Sequence, residues 1–226
     1  MRLKTILNEC CDFKSFVIGD AQFTQDRKQI EVQLHARSNS KPICSICKMK
    51  GPCYDHLKER RFQFIPFWGL QVFFKYAMRR VDCTNCGIKV EVVPWASGKQ
   101  TITDQYALYL AGWAKEMSWK TVATRFRTSW QTVHRAVQTI VAYGLAHRNI
   151  QGVSALGVDE VQYQKGHNYM TLVYQINRDC RRLLWVGKKR TKKTMCMFFT
   201  DMWKIDRGFR KNIKVVCSDM WKPYLD

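Results

Sequence analysis

The stretch Leu156-Gly157-Val158-Asp159-Glu160 decides how the chain is understood: a short apolar run that ends in two carboxylates. Sixty positions further on, Val215-Val216-Cys217-Ser218-Asp219 repeats the pattern with a single acid. Both runs have the composition of β-strands, and each delivers a carboxylate at its carboxyl end. Oxygen ligands suit Mg²⁺ or Mn²⁺, and ions held this way activate an attacking oxygen and stabilise a leaving one in phosphoryl transfer. Asp159 and Asp219 are therefore candidate catalytic ligands, set against the plainer possibility of two solvated loop acids.

The surroundings give these strands a context. Residues 156–161, 169–176 and 182–187 form three strand candidates joined by turns at Lys165-Gly166-His167-Asn168 and Asn177-Arg178-Asp179. A helix is expected from about residue 192, because Met195, Phe198, Phe199, Met202 and Trp203 fall on one face as a core stripe. Residues 213–217 complete a β-β-β-α-β order. If the first and fourth strands lie side by side, their spacing of about 4.8 Å lets Asp159 and Asp219 share metal ions. Strand alternation sends Glu160 to the opposite face from Asp159, and its role stays open. Residues 181–214 hold twelve basic side chains against two acids, a basic rim suited to a polyanionic substrate.

Upstream, Cys44-Ser45-Ile46-Cys47 and Cys83-Thr84-Asn85-Cys86 are two chelating Cys-x-x-Cys pairs. Thiolates at this spacing suit Zn²⁺, and four of them leave no open position, so the zinc expected here is structural. Gly87 follows the second pair, where a knuckle backbone often needs a positive φ. Between the pairs, 61–65 and 72–76 read as strands around a Pro66-Phe67-Trp68-Gly69 turn, giving a β-rich zinc ribbon. Residues 16–18 and 30–34 add two more strands. Cys10 and Cys11 are expected to be ordinary thiols, and Cys53, His35 and His56 lack a closely spaced chelating partner.

After Gly98 the texture turns helical. Thr103 is an expected N-cap, and Tyr106, Ala107, Leu110, Trp113, Ala114 and Met117 mark one apolar face. Ser118 caps a second helix over about 119–126, and Ser129 a third over about 130–143. So tight a connection reads as helix-turn-helix, with Val122, Ala123, Phe126, Val133 and Val137 inside; Arg127 stands where glycine is common. In that motif Trp130, Gln131, His134 and Arg135 face the major groove, while Lys120, Arg125 and Arg127 reach phosphates. A plain helical hairpin with Trp130 in its core is the alternative. Residues 144–155 lose the helical period, and a linker is expected at 147–155.

Composition agrees with a polyanionic partner. The 226 residues carry 38 Lys+Arg against 18 Asp+Glu, a formal net charge of +20, while 46% hydrophobic content is enough for packed cores. No run of about 18 apolar residues marks a membrane span, and Met1-Arg2-Leu3-Lys4 does not open a signal peptide. Ten cysteines without such a signal fit a reducing cytoplasm.

Taken in order, the zinc knuckles (with Arg79-Arg80-Val81-Asp82 before Cys83), the helix-turn-helix, Gly157-Val158-Asp159-Glu160 and Ser218-Asp219-Met220-Trp221-Lys222-Pro223-Tyr224 resemble one family. It is the DDE transposases of bacterial insertion sequences, of the insertion-sequence-L-three type. The resemblance covers residue 40 or so to the end. It implies a ribonuclease-H-like core in which Asp159 and Asp219 bind Mg²⁺ or Mn²⁺, and water, then a DNA 3′-hydroxyl, attacks a phosphodiester in line. It also implies that the zinc module and helix-turn-helix bind double-stranded DNA at the terminal inverted repeats. The protein would be cytoplasmic, associated with the nucleoid when on DNA, and a homo-oligomer is compatible with this picture.

The expected fold is multidomain α+β. It comprises a β-rich zinc-binding module at 1–98, a helix-turn-helix domain at 99–146, the linker, and an incomplete ribonuclease-H-like α/β core at 156–226. The family's third acid, a glutamate, lies well downstream of the second. The sequence ends at Asp226, seven residues past Asp219, so the expectation is a C-terminally truncated transposase that is inactive alone. The competing functional class is a zinc-dependent helix-turn-helix regulator without catalytic activity.

Overall fold

A computed structural model describes residues 3–218. The chain divides into two compact units, Met1–Ala146 and His147–Asp226, each a mixture of helix and mixed β-sheet.

The first unit opens with helix α1 (Leu3–Cys10), followed by β1 (Phe16–Phe23), β2 (Gln29–Ala36), β3 (Cys53–Phe67), β4 (Leu70–Cys83) and β5 (Gly87–Val90). The sheet order is β1-β2-β4-β3, with β5 also paired to β4. β2 and β4 run parallel and the other pairs antiparallel. Alternation decides which face is covered: Ile30, Val32 and Leu34 of β2 and Val72, Phe74, Tyr76 and Met78 of β4 are all buried. Trp95 sits at the centre of this core with ring contacts to Phe13, Phe16, Phe62 and Tyr76. Leu7 of α1 is buried in the same cluster. β3 and β4 form a long hairpin closed by Trp68 and Gly69, both at positive φ (50° and 79°), a backbone twist that matches the flanking strands.

A buried ion pair braces this sheet. Glu91 accepts from the Arg79 Nε (2.9 Å), the Arg79 backbone N–H (2.7 Å) and the Tyr76 hydroxyl (2.7 Å), and Arg79 donates onward to the Ser40 carbonyl (2.8 Å). Every strong donor and acceptor of the pair is engaged, the condition under which burying charge is tolerated.

Helices α2 (Asp104–Trp113), α3 (Trp119–Arg125) and α4 (Trp130–Ala146) complete the first unit. The three expected caps form: Thr103 accepts from the Tyr106 N–H, Ser118 from Thr121 and Ser129 from Thr132. Tyr106, Ala107, Leu110, Val122, Ala123, Val133 and Ala136 make their core. The start of α2 is tied to the sheet, since Gln63 of β3 donates to the Thr101 carbonyl (2.8 Å) and accepts from the Thr103 N–H (2.9 Å).

The second unit is built on β6 (Ala155–Gln164), β7 (Asn168–Asn177), β8 (Cys180–Lys188) and β9 (Val215–Ser218), with helices α5 (Lys192–Ile205) and α6 (Phe209–Asn212) between β8 and β9. The order is β8-β7-β6-β9; β9 is parallel to β6, and the other pairs are antiparallel. One face packs on the helices through Leu156, Val173, Leu184, Phe198, Met202 and Phe209. On the other face Val161, Leu183 and Val186 remain about half exposed. Gly187 of β8 is required by close approach, because a Cβ there would lie 2.1 Å from the Trp185 ring and 2.7 Å from Thr194.

Three expectations change in detail. Residues 147–155 are not a bare linker: Ile150 and Val153 are buried in the second core. Two apolar residues in an irregular segment leave no period to detect. α4 continues through Gly144 to Ala146, and Trp203, expected in the core stripe, is 50% exposed on α5.

Candidate metal centre and nucleic-acid interface

The two Cys-x-x-Cys turns meet at one end of the first sheet. Cys44 and Cys47 lie on a turn in which Lys48 donates its N–H to the Cys44 carbonyl (3.1 Å); Cys83 ends β4, and Cys86 donates to the Cys83 carbonyl (3.3 Å). The residue after each pair has left-handed backbone, Lys48 at φ 63° and Gly87 at φ 69°. The two turns are thus alike in conformation although only one carries glycine. An antiparallel bridge from Cys44 to Glu91 fixes the first turn beside the buried Arg79–Glu91 pair.

All four sulfurs lie within 4.8 Å of one another, and Cys47 and Cys83 are 3.4 Å apart. A tetrahedral ion with Zn–S bonds of about 2.3 Å needs sulfurs about 3.8 Å apart, so the cluster fits such an ion. Charge is shared unequally among the thiols. The Cys47 backbone N–H brings Cys44 down to about 7, while contact with the Cys47 side chain pushes Cys86 up to about 12. A cation is what allows all four to ionise together. Cys53 is exposed, and its sulfur faces the Asp55 carbonyl, outside the cluster.

In the second sheet β6 runs on to Gln164, so Asp159 and Glu160 lie in mid-strand rather than at its carboxyl end, and alternation separates them. Asp159 is exposed, and its Oδ1 accepts from the Glu160 N–H (2.7 Å). Glu160 is turned toward the protein, its side chain only 13% exposed and paired with Arg190 (3.2 Å). Its Oε1 is buried with no hydrogen-bond partner among the described residues. In the parallel pairing of β6 with β9, Val158 stands opposite Ser218, the last described residue. Asp219 lies outside the described residues.

The third group is on α3 and α4. Lys120, Arg125, Trp130, Gln131 and Arg135 are exposed. Arg127 occupies the connection with φ 50°, the conformation for which glycine is usual, and its carbonyl accepts from the Gln71 side chain of β4 (3.2 Å). His134 is half-buried between two indoles, 5.0 Å from Trp119 and 6.4 Å from Trp130. Arg125 lies over the Trp113 ring at 5.5 Å. Sequence reasoning missed Trp119 as a surface group. Its position directly after the Ser118 cap, at the start of the first helix of the pair, was the available signal.

Comparisons with known proteins bear on all three groups. Residues 156–226 match the family model described as a transposase, that of the DDE transposases of the ISL3 type. The chain is 26% identical over 183 residues to the transposase for insertion sequence element IS1001 of Bordetella parapertussis, covering 80% of this chain and 44% of that protein. It is 27% identical over 194 residues to the transposase for insertion sequence element IS1557 of Mycobacterium tuberculosis, covering 82% of this chain and 43% of that protein. Residues 156–226 are thus similar to the ISL3-type transposases, and most of the chain is similar to transposases of insertion sequence elements. It spans less than half the length of the curated relatives it matches. Among the described residues, no helix is long and apolar enough to cross a membrane.

Proposed function

We propose that the chain carries the end-binding part and the first two metal-binding acids of a DNA transposase. The observation that supports this most directly is the β6–β9 register. Val158 pairs with Ser218, and the next residue in sequence after each is an aspartate, Asp159 and Asp219. Parallel neighbours about 4.8 Å apart, with an acid following the last paired residue in each sequence, are suited to a shared pair of oxygen ligands, although β6 itself runs on past Asp159 to Gln164. The exposed Asp159, on the sheet face that the helices leave open, is accessible to a polyanionic strand.

In this proposal the second unit is a ribonuclease-H-like core. Asp159 and Asp219 would hold Mg²⁺ or Mn²⁺, and such an ion supplies charge stabilisation for attack on a phosphodiester. Glu160 does not face the same solvent; paired with Arg190, it positions the middle of β6 rather than touching substrate. The four-cysteine cluster is a structural zinc site closing a zinc ribbon, and α3 and α4 are a helix-turn-helix. Exposed Gln131 and Arg135 near the start of α4 would enter the major groove of the terminal inverted repeats, with Lys120 and Arg127 on phosphates. The division into a zinc module at 1–98, a helix-turn-helix at 99–146 and a catalytic core at 156–226 belongs to this proposal. So does action on DNA in the bacterial cytoplasm and nucleoid.

Manganese binding to the purified chain, followed by electron paramagnetic resonance, tests the acid pair. Asp159→Asn and Asp219→Asn should each weaken binding at least tenfold, while Glu160→Gln should leave it nearly unchanged. Equal affinity in wild type and both aspartate variants would sink the assignment.

A further inference from the structure

The second unit has a cleft that the acid pair and the helix pair do not use. It has a volume of about 360 Å³ and is lined by Tyr163, His167, Tyr169, Lys188, Lys189 and Arg190. It lies where the β6–β7 hairpin meets the end of β8, at the carboxyl end of β6, beyond Asp159 in the middle of that strand. Among the described residues, no acidic side chain lines it. We propose that this cleft binds a single strand of DNA; the proposal rests on the transposase reading for the identity of the strand.

The cleft is built rather than accidental. Lys189 has left-handed backbone (φ 69°), which turns the chain from β8 into α5. Its N–H donates to the Tyr169 carbonyl at 2.7 Å, and its carbonyl accepts from the buried Thr171 hydroxyl at 2.9 Å. The Lys188 carbonyl accepts from the buried Thr194 hydroxyl at 3.3 Å, and Thr191 caps α5. Lys188 and Lys189 thus project from a backbone held on both sides, with their ammonium groups in solvent. Arg190 is fixed differently: its guanidinium lies 4.3 Å over the Tyr169 ring and is paired with Glu160, which joins the wall of the cleft to the middle of β6.

Tyr163 supplies the aromatic half. It sits where the β6–β7 register shifts between Gln162 and Gln164, a bulge that re-aims a side chain, and it is 50% exposed. Lysines alone would attract any polyanion, but an exposed ring beside them adds a stacking surface that only an unpaired base can use. Tyr163 is four residues beyond Asp159 on one strand, roughly 13 Å. Duplex DNA, with its bases stacked inside, would engage the cations and leave the ring idle.

Fluorescence anisotropy of the full chain, with a labelled twelve-thymidine strand and a labelled duplex of the element's end, tests this. The variants are Lys188→Ala with Lys189→Ala, Tyr163→Ala and Tyr163→Phe; all three positions are exposed, and thermal melts check that each protein is folded. The double lysine variant should bind the single strand about tenfold more weakly, and its log–log salt slope should fall by about 1.4, the value for two lost phosphate contacts. Tyr163→Ala should lose about fivefold or more and Tyr163→Phe should retain wild-type affinity, because the ring does the stacking. Duplex affinity should change less than twofold in every variant. The proposal is overturned by wild-type single-strand affinity in both alanine variants, by absence of single-strand binding, or by equal losses on duplex. Displacement of the strand by polyglutamate at matched charge would instead identify an acidic peptide site and overturn it too. Mn²⁺ binding measured on the same variants separates the two ideas: loss of the cleft with intact metal binding leaves the acid-pair assignment standing, and the converse leaves the cleft.

Discussion

The two units use charge in opposite ways. In the first, Arg79 and Glu91 are buried together and consume each other's hydrogen bonds, and the sheet beside them is covered by a core centred on Trp95. In the second, Asp159 points to solvent, the sheet is packed on one face, and Val161, Leu183 and Val186 stay half exposed on the other. The first arrangement converts polar groups into rigidity. The second leaves polar groups accessible at the expense of a one-sided core. The lesson is that the first unit converts its charges into internal rigidity, whereas the second keeps its acid at the surface.

Metal removal should break this contrast most sharply. A structural zinc in small domains contributes on the order of 10 kcal/mol of folding free energy. A strong chelator, or Cys44→Ser, should therefore collapse the thermal transition of the first unit and leave that of the second near its original temperature. Differential scanning calorimetry resolves the two; a common shift of both would mean that the units do not unfold separately. Next in size is Glu91→Ala, which leaves Arg79 buried without its partner. The expected loss is about 3–5 kcal/mol by urea unfolding of the first unit, since an orphaned buried charge is more damaging than a missing pair. A loss under 1 kcal/mol would show that water reaches Arg79.

In the second unit the equivalent test is steric. Gly187→Ala should destabilise it by about 1–3 kcal/mol, because the added methyl would meet the Trp185 ring and Thr194 in a packed interior. Unchanged stability would show that the one-sided core yields easily. The smallest effect is expected at Arg127→Gly. Left-handed backbone disfavours a residue with a Cβ by about 1 kcal/mol, and glycine's greater freedom in the unfolded chain offsets part of that. Stability should rise by less than 1 kcal/mol, while duplex affinity falls through the lost phosphate contact. A rise in both would remove Arg127 from the DNA interface.

What was legible in the sequence was local. The cysteine pairs declare themselves because chelation from one turn fixes their spacing, and Thr103, Ser118 and Ser129 mark helix starts because a cap acts within three residues. Gly87 could be assigned a positive φ for the same reason, whereas Lys48 at the matching position could not. Long-range features were opaque. Residues 53–61 belong to a β-strand yet are mostly exposed, so no alternation reveals them, and the Arg79–Glu91 pair joins residues twelve apart with no pattern linking them. Ile150 and Val153 looked like linker because their burial depends on a core assembled from later strands. At the acid site the opposite faces of Asp159 and Glu160 followed from strand alternation, but the Arg190 partner of Glu160 did not.

The pairing of β9 with β6 also bears on the order of events during folding. Four register pairs, Ala155 with Val215 through Val158 with Ser218, join segments sixty residues apart, and the intervening hairpins and α5 can form from much nearer contacts. Closing so long a loop for so few bonds is entropically slow, so local strands and the helix should form first and β9 should dock last. A chain still emerging from the ribosome would thus expose Asp159 for some time before its parallel neighbour arrives. The strand that carries the approach to Asp219 would be the final part of the second unit to mature.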